Sequence, residues 1–297
     1  MKKLLVIALC LVMLLTFTAC SSHQFLSKSK VNNLVEKYSE NGKLPQVEMT
    51  LTYKTNKNST PMQVKVVYEL LLDKAPISVI SFINLLNSGR YNNLLVDTKT
   101  STHMLIGRFS FTETPKDNAD EGSLPSMNRT YSYAPADHTF VGEFKNNNFK
   151  PYGKVAEGDD GFAKFEMFSL AMYHDSPAVK SDDKAQQEEY KRAYNSSNGR
   201  LMLSLGSTEN GTAPNYKDYA VFARPISFSV SVAGSEFSPA ETRLPSYLLT
   251  QLNSISVTNI AIDDTYFKPY PIDVSFQMVA GSIDWANIKD NYLVDAE

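Results

Sequence analysis

The chain has 297 residues, 42% of them hydrophobic and 21% charged, with a formal net charge of −3. That is ordinary globular composition and enough chain for one large domain or two small ones, and the acidic balance excludes the basic footprint of a nucleic-acid-binding protein. The four histidines (His23, His103, His138 and His174) lie far apart and there are only two cysteines, so neither a metal centre nor any other cofactor is expected.

The chain begins MKKLLVIALCLVMLLTFTAC: two lysines, an unbroken apolar stretch, then small residues ahead of Cys20. This is the layout of an export signal over residues 1–19. Its apolar run, Leu4 to Leu15, is shorter than the roughly 20 residues of a permanent membrane helix. The ending Phe-Thr-Ala-Cys, followed by Ser21 and Ser22, resembles a bacterial lipobox, with Phe17 an unusual residue at its position. The resemblance implies cleavage before Cys20 and a diacylglyceryl group on its sulfur. The protein would then be held on the extracytoplasmic face of the cell membrane by lipid. An ordinary signal peptide is the alternative, and it would leave Cys20 as a lone thiol on an exported chain. Cys10 departs with the leader, so no disulfide can form. Loss of Lys2 and Lys3 leaves 27 basic against 32 acidic residues, a mature charge near −5.

Residues 20–45 are polar and weakly periodic and read as a tether with one or two helical turns. From Gln46 the pattern alternates: VEMTLTY places Val47, Met49, Leu51 and Tyr53 on one face. The turn cluster TNKNST and the run MQVKVVYELLL complete a β-hairpin. APISVISFINLLNSG predicts a short amphipathic helix, with Pro76 in its first turn and Gly89 ending it. HMLIGRFSF, HTFVGEF, FEMFSLAMY, RLMLSL, YAVFARPISFSVSV, SISVTNIAI and PIDVSFQMVAG predict further strands, and PSYLLTQLNS a second helix. Two polar insertions interrupt them, at 112–137 and 174–198. Many strands with two helices predict a closed or nearly closed barrel. Asp159–Asp160 and Asp182–Asp183 lack calcium-loop spacing, the mixed charges of KAQQEEYKRAY suit an exposed helical face, and Trp285 reads as a plug or surface anchor.

The stretch VVYELLLDKAPISVISFINLLNSGRYNNLLVD resembles the cyclophilin-type peptidyl-prolyl isomerases at their start: a strand ending in an acidic residue, Lys-Ala-Pro, a helix carrying Phe, then Gly-x-Tyr. The match runs without a gap from Asp73 to Gly107. HTFVGEFKNNNF, NSSNGRLMLSL and KDYAVFARPI follow in the order of the family's later segments, so the resemblance covers most of residues 46–285, with 286–297 left as a tail. It implies a mainly β fold, a cyclophilin-like eight-stranded antiparallel barrel capped by two helices, whose substrate groove lies on the outer face. The implied activity is isomerisation of proline-containing segments of exported proteins. An arginine donates to the prolyl nitrogen as the amide twists, with no nucleophile, metal or cofactor.

Counted along the ungapped match, the family's catalytic arginine falls on Thr98 and the histidine before it on Asp97. The groove phenylalanine, methionine and glutamine fall on His103, Met104 and Ile106. In the later strands the glutamine falls on Arg200, the second phenylalanine on Met202 and the groove histidine on Tyr219. Of these, Met104 alone is retained, and a threonine hydroxyl cannot replace an extended guanidinium. Arg200, reaching across from the opposite wall, is the candidate replacement donor. Pairing with an acidic neighbour is its plainer reading, and Lys99 and Arg108 are lesser candidates. Met104, Met202 and His103 form either an adaptable peptide pocket or ordinary packing. Two functions follow: an isomerase with weakened chemistry, or a non-catalytic peptide- or protein-binding module in which Tyr219 and His103 fill the groove. A solute-binding lipoprotein fits poorly, because parallel βαβ patterning is missing.

Overall fold

The computed structural model describes residues 27–39, 42–54, 60–115, 127–133, 138–147, 149–152, 155–174, 196–197, 199–232, 235–237, 244–254, 272–279 and 294–295. Alternation builds its wall. β1 (Gln46–Tyr53) buries Val47, Met49, Leu51 and Tyr53, and β2 (Met62–Leu70) buries Val64, Val66, Tyr68 and Leu70. The two pair antiparallel, Gln46 opposite Glu69 and Tyr53 opposite Met62. They are followed by β3 (Leu94–Lys99), β4 (His103–Pro115), β5 (Met127–Tyr133), β6 (His138–Val141), β7 (Leu170–Met172), β8 (Ser196–Ser197), β9 (Leu201–Ser204), β10 (Ala220–Val232), β11 (Ser235–Phe237), β12 (Asp273–Met278) and β13 (Val294–Asp295).

Around the wall the order is β10-β2-β1-β12-β3-β4-β9-β7, and pairing of β7 with the first residues of β10 closes the ring. The result is a closed eight-stranded antiparallel barrel, in keeping with the cyclophilin-like barrel that the resemblance implies. β5 and β11 pair outside the ring, on β4 and β10. The interior is packed with side chains: Met104, Ile106, Leu170, Met172, Leu201, Leu203, Phe222, Val274 and Phe276 join those of β1 and β2 in one continuous core. With its inside filled, such a barrel leaves only its outer face for ligands.

Three helices are described. α1 (Lys28–Tyr38) starts at Ser27, whose hydroxyl accepts from the Lys30 amide at 3.2 Å, and it buries Val31, Leu34 and Tyr38 in the main core. The expected tether is therefore already folded domain from Ser27. α2 (Pro76–Asn87) has proline at its start and ends at Gly89, φ +79°, where the amides of Gly89 and Arg90 return to the carbonyls of Leu86 and Leu85. Its Phe82 ring lies 5.1 Å from those of Tyr91 and Phe222 and 5.5 Å from Phe276. α3 (Leu244–Ser254) adds Leu248 and Leu252 to the core, and the Lys99 ammonium donates to the Leu252 carbonyl near its end at 2.5 Å. No helix among the described residues is long and apolar enough to cross a membrane.

The first insertion opens as a hairpin, β4 running on to Pro115 against β5. Arg129 pins it to the barrel through Asp273 at 2.7 and 2.9 Å and through Glu113 at 2.8 Å, with its guanidinium 4.0 Å above the Phe111 ring. Residues 294–295, expected as part of a tail, pair with β6, which also carries β8. Cys20, the predicted helix at 184–194, residues 255–262 of the predicted strand SISVTNIAI, and Trp285 lie outside the described residues.

Candidate functional site

A β-bulge shapes the wall where the family arginine was expected. Val96 pairs with Ile106 and Thr98 with Leu105, so two steps along β3 face one along β4, and Asp97 is the extra residue. Gly107, at φ +102°, bends β4 beside it, and the Arg108 amide that follows donates to Asp97 Oδ2 at 3.1 Å. The Thr98 hydroxyl donates to Asp97 Oδ1 at 2.9 Å.

Into this corner comes Arg200, the residue just before β9. Its Nε donates to Asp97 Oδ2 at 3.3 Å, its Nη2 to Asp97 Oδ1, and Nη2 also approaches Thr98 Oγ1 at 3.4 Å. The guanidinium lies 4.9 Å above the Tyr173 ring. The Asp97 side chain is 1% exposed and that of Arg200 12%, so this ion pair is part of the wall rather than a solvated surface contact. Its placement follows from the opening motifs. Tyr91, of the Gly-Arg-Tyr turn, donates through its hydroxyl to the Gly199 carbonyl at 2.7 Å. Gly199 itself sits at φ +71°, where a Cβ would meet Leu85 at 3.0 Å.

Alternation along β4 decides which side chains face outward. Met104 and Ile106, expected in the groove, point into the barrel and are fully buried in its core. Leu105 between them faces out instead, opposite Met202. With Phe165, Ala171 and Val221 these two form a second apolar cluster outside the wall, flanked by the partly exposed Tyr173, Ala213, Tyr216 and Tyr219. The structure thus brings Thr98, Arg200, Met202 and Tyr219 to one face, and Leu105 stands where Met104 was expected. His103 lies at the edge, with Nδ1 at 2.9 and 3.1 Å from the hydroxyls of Thr102 and Thr100. Burial first, and then the Arg200 charge, hold its imidazole below the usual histidine range, which keeps it neutral near pH 7.

The far rim is an aromatic ladder. Phe144 stacks on His174 at 5.0 Å, His174 on Tyr219 at 5.2 Å and Tyr219 on Tyr173 at 6.4 Å, next to the Arg200 guanidinium. Burial pushes the Tyr219 phenol up to about 12, so it stays neutral. The Gly-Glu-Phe segment anchors the ladder. A Cβ on Gly142 would strike the Phe144 ring. Glu143 accepts the first free amides of α2, Ile77 at 3.0 Å and Ser78 at 2.6 Å, together with the Tyr152 hydroxyl at 2.9 Å. The residue at the N-cap of α2, Ala75, has no side-chain acceptor, so a carboxylate from 65 residues away does the capping.

No protein-family model matches the chain, and no curated protein matches it significantly in sequence. The site therefore has to be read from its own groups. It holds an apolar floor that lies buried behind partly exposed tyrosines, one guanidinium held by a carboxylate, and neutral hydroxyl and imidazole groups at the edge. Among the described residues no cluster of histidine, cysteine, aspartate or glutamate is arranged to hold a metal ion. Asp97, Leu105, Phe165, Tyr173 and Glu143 carry parts of the site that sequence reasoning did not assign. The alternation of β9, which puts Arg200 and Met202 on one side, was a usable signal for the outward face. Nothing local marked Tyr173.

Proposed function

We propose that this chain is a cyclophilin-like lipoprotein that binds proline-containing segments of exported proteins on the outer face of its barrel and turns their X-Pro bonds slowly or not at all. Anchoring by lipid on Cys20 on the extracytoplasmic side belongs to the same reading. The observation that carries it is the pairing of Arg200 with Asp97 above the apolar floor of Leu105 and Met202. Rotation of an X-Pro amide faces about 18–20 kcal/mol of lost resonance. A donor aimed at the nitrogen lone pair, which exists only in the twisted form, lowers that barrier selectively. The threonine at position 98 cannot supply such a donor, and Arg200 is the guanidinium on that face. Its Nε–H and one Nη2–H point at a carboxylate that cancels most of its field. The floor and the tyrosines still suit a proline ring and its apolar neighbours, so binding outlasts chemistry.

The test is calorimetric titration of the full chain in detergent with an Ala-Pro-containing peptide and its Ala-Ala counterpart, beside a protease-coupled isomerisation assay. Proline-dependent binding with acceleration below about tenfold over the thermal rate is expected, and Tyr219→Ala, at the partly exposed edge of the cluster, weakens the binding. Equal or absent binding of the two peptides refutes the reading. The extent to which Tyr173, Tyr219 and Arg200 fill this face favours, as a second reading, a module that docks another folded protein through the tyrosines.

A further inference from the structure

We infer that Asp97 is the brake on this site: a positioning residue that holds Arg200 against the wall and keeps its guanidinium from serving a bound X-Pro amide. The inference rests on the proposed reading that proline-containing segments occupy this face.

The carboxylate is placed and aimed by the backbone. As the extra residue of the bulge, Asp97 has no partner across the β3–β4 ladder. Its oxygens are fixed by the Arg108 amide at 3.1 Å and the Thr98 hydroxyl at 2.9 Å before Arg200 is counted. With its side chain 1% exposed, it cannot follow the arginine outward when a ligand arrives. Arg200 is constrained in turn. Its Nε and Nη2 edge faces Asp97, the plane of the guanidinium lies over Tyr173, and its backbone carbonyl accepts from the Tyr173 amide at 2.8 Å. To donate to a prolyl nitrogen it would have to leave a buried carboxylate uncompensated, which is strongly unfavourable. It would also have to give up the ring. An arginine brought to this corner without the aspartate would stand beside the apolar floor with its field intact.

Removal of the charge with the shape kept is the decisive change. Asp97→Asn retains an acceptor for the Arg108 amide and releases the guanidinium from its counter-charge. Oriented donors are commonly worth two orders of magnitude in such sites, and Asn keeps part of the hold, so the rise in isomerisation kcat/KM is expected to be about tenfold or more. Peptide affinity, measured on the same samples, stays within about threefold of the unaltered chain. The gain disappears in Asp97→Asn combined with Arg200→Ala. Unchanged catalysis with binding preserved overturns the inference and leaves the proposed function standing. A gain that survives loss of Arg200 overturns it as well, since another donor is then at work. Absence of proline-dependent binding in every variant overturns both. The unaltered chain supplies a check independent of how the variants fold. The Arg200 Nε–H resonance is expected to stay in place when X-Pro peptide is added, and a shift on titration shows that the arginine already reaches the ligand.

Discussion

Glu143→Gln tests whether burial or the helix terminus sets the charge of the carboxylate that caps α2. Glu143 is 2% exposed, and burial pushes its carboxyl up to about 7 from 4.5, even though the α2 amides and the Tyr152 hydroxyl pull the other way. A carboxyl raised in the folded state takes up a proton on folding. The stability it contributes is therefore complete below about 4.5 and is lost as the pH rises through about 7. At about 1.4 kcal/mol per tenfold change in proton affinity, the whole interval carries about 3.5 kcal/mol, and about 2.5 of it falls between pH 5 and 8.5. Glutamine keeps the shape without the titration. It replaces one acceptor by a donor facing a helix amide, a loss of about 1 kcal/mol. The variant should thus be about 1 kcal/mol less stable than the parent at pH 5 and about 1–2 kcal/mol more stable at pH 8.5. Urea unfolding followed by circular dichroism at pH 5, 7 and 8.5 reads this directly, because every other titrating group cancels in the difference. A cost that stays constant or grows with pH refutes the reasoning. It would mean that the amides of Ile77 and Ser78 hold Glu143 ionised and that the cap outweighs its burial.

Two further substitutions probe the frame of the site. Arg129→Lys keeps the charge but loses the paired contacts to Asp273, the contact to Glu113 and the flat stacking over Phe111. With the side chain 29% exposed, the loss should be about 1 kcal/mol, seen as a fall of roughly 2–4 °C in Tm, and an unchanged Tm would show that the hairpin arm is not held there. Gly206→Ala would put a Cβ 2.3 Å from the Thr212 carbonyl oxygen, a backbone atom that cannot turn aside. About 1–3 kcal/mol should be lost in urea unfolding, against no more than about 1 for Gly211→Ala, which has open space but φ +65°; equal losses would contradict the clash.

What could be read ahead of the structure followed from regular period and local punctuation. β1 and β2 alternate without interruption, and Pro76 and Gly89 bracket α2 as their backbone preferences require. A barrel followed from the number of strands, and the barrel is what the chain forms. The outward face of β4 was misread for one reason. β4 keeps its own alternation, Met104 and Ile106 inward and Leu105 outward, while its ladder to β3 shifts register on both sides of Val96, so a gap-free count cannot tell which of these neighbours the fold presents. One or two helical turns were expected before β1, but the docking of α1 in the core escaped because Val31, Leu34 and Tyr38 are spaced among lysines and asparagines whose polarity masks the stripe. The partners of Glu143 lie in α2, too far along the chain for any local pattern to announce them, and the two-residue strands β8 and β13 carry no period at all. Arg200 could be singled out because the strand it leads into, β9, is unbulged and keeps its alternation. The consequence reaches function. Carried over by position alone, the family pattern leaves Thr98 where an arginine belongs and the chemistry without a donor. With the bulge included, a guanidinium does reach that corner from the other wall, and the residue that arrests it is the same aspartate that made the bulge.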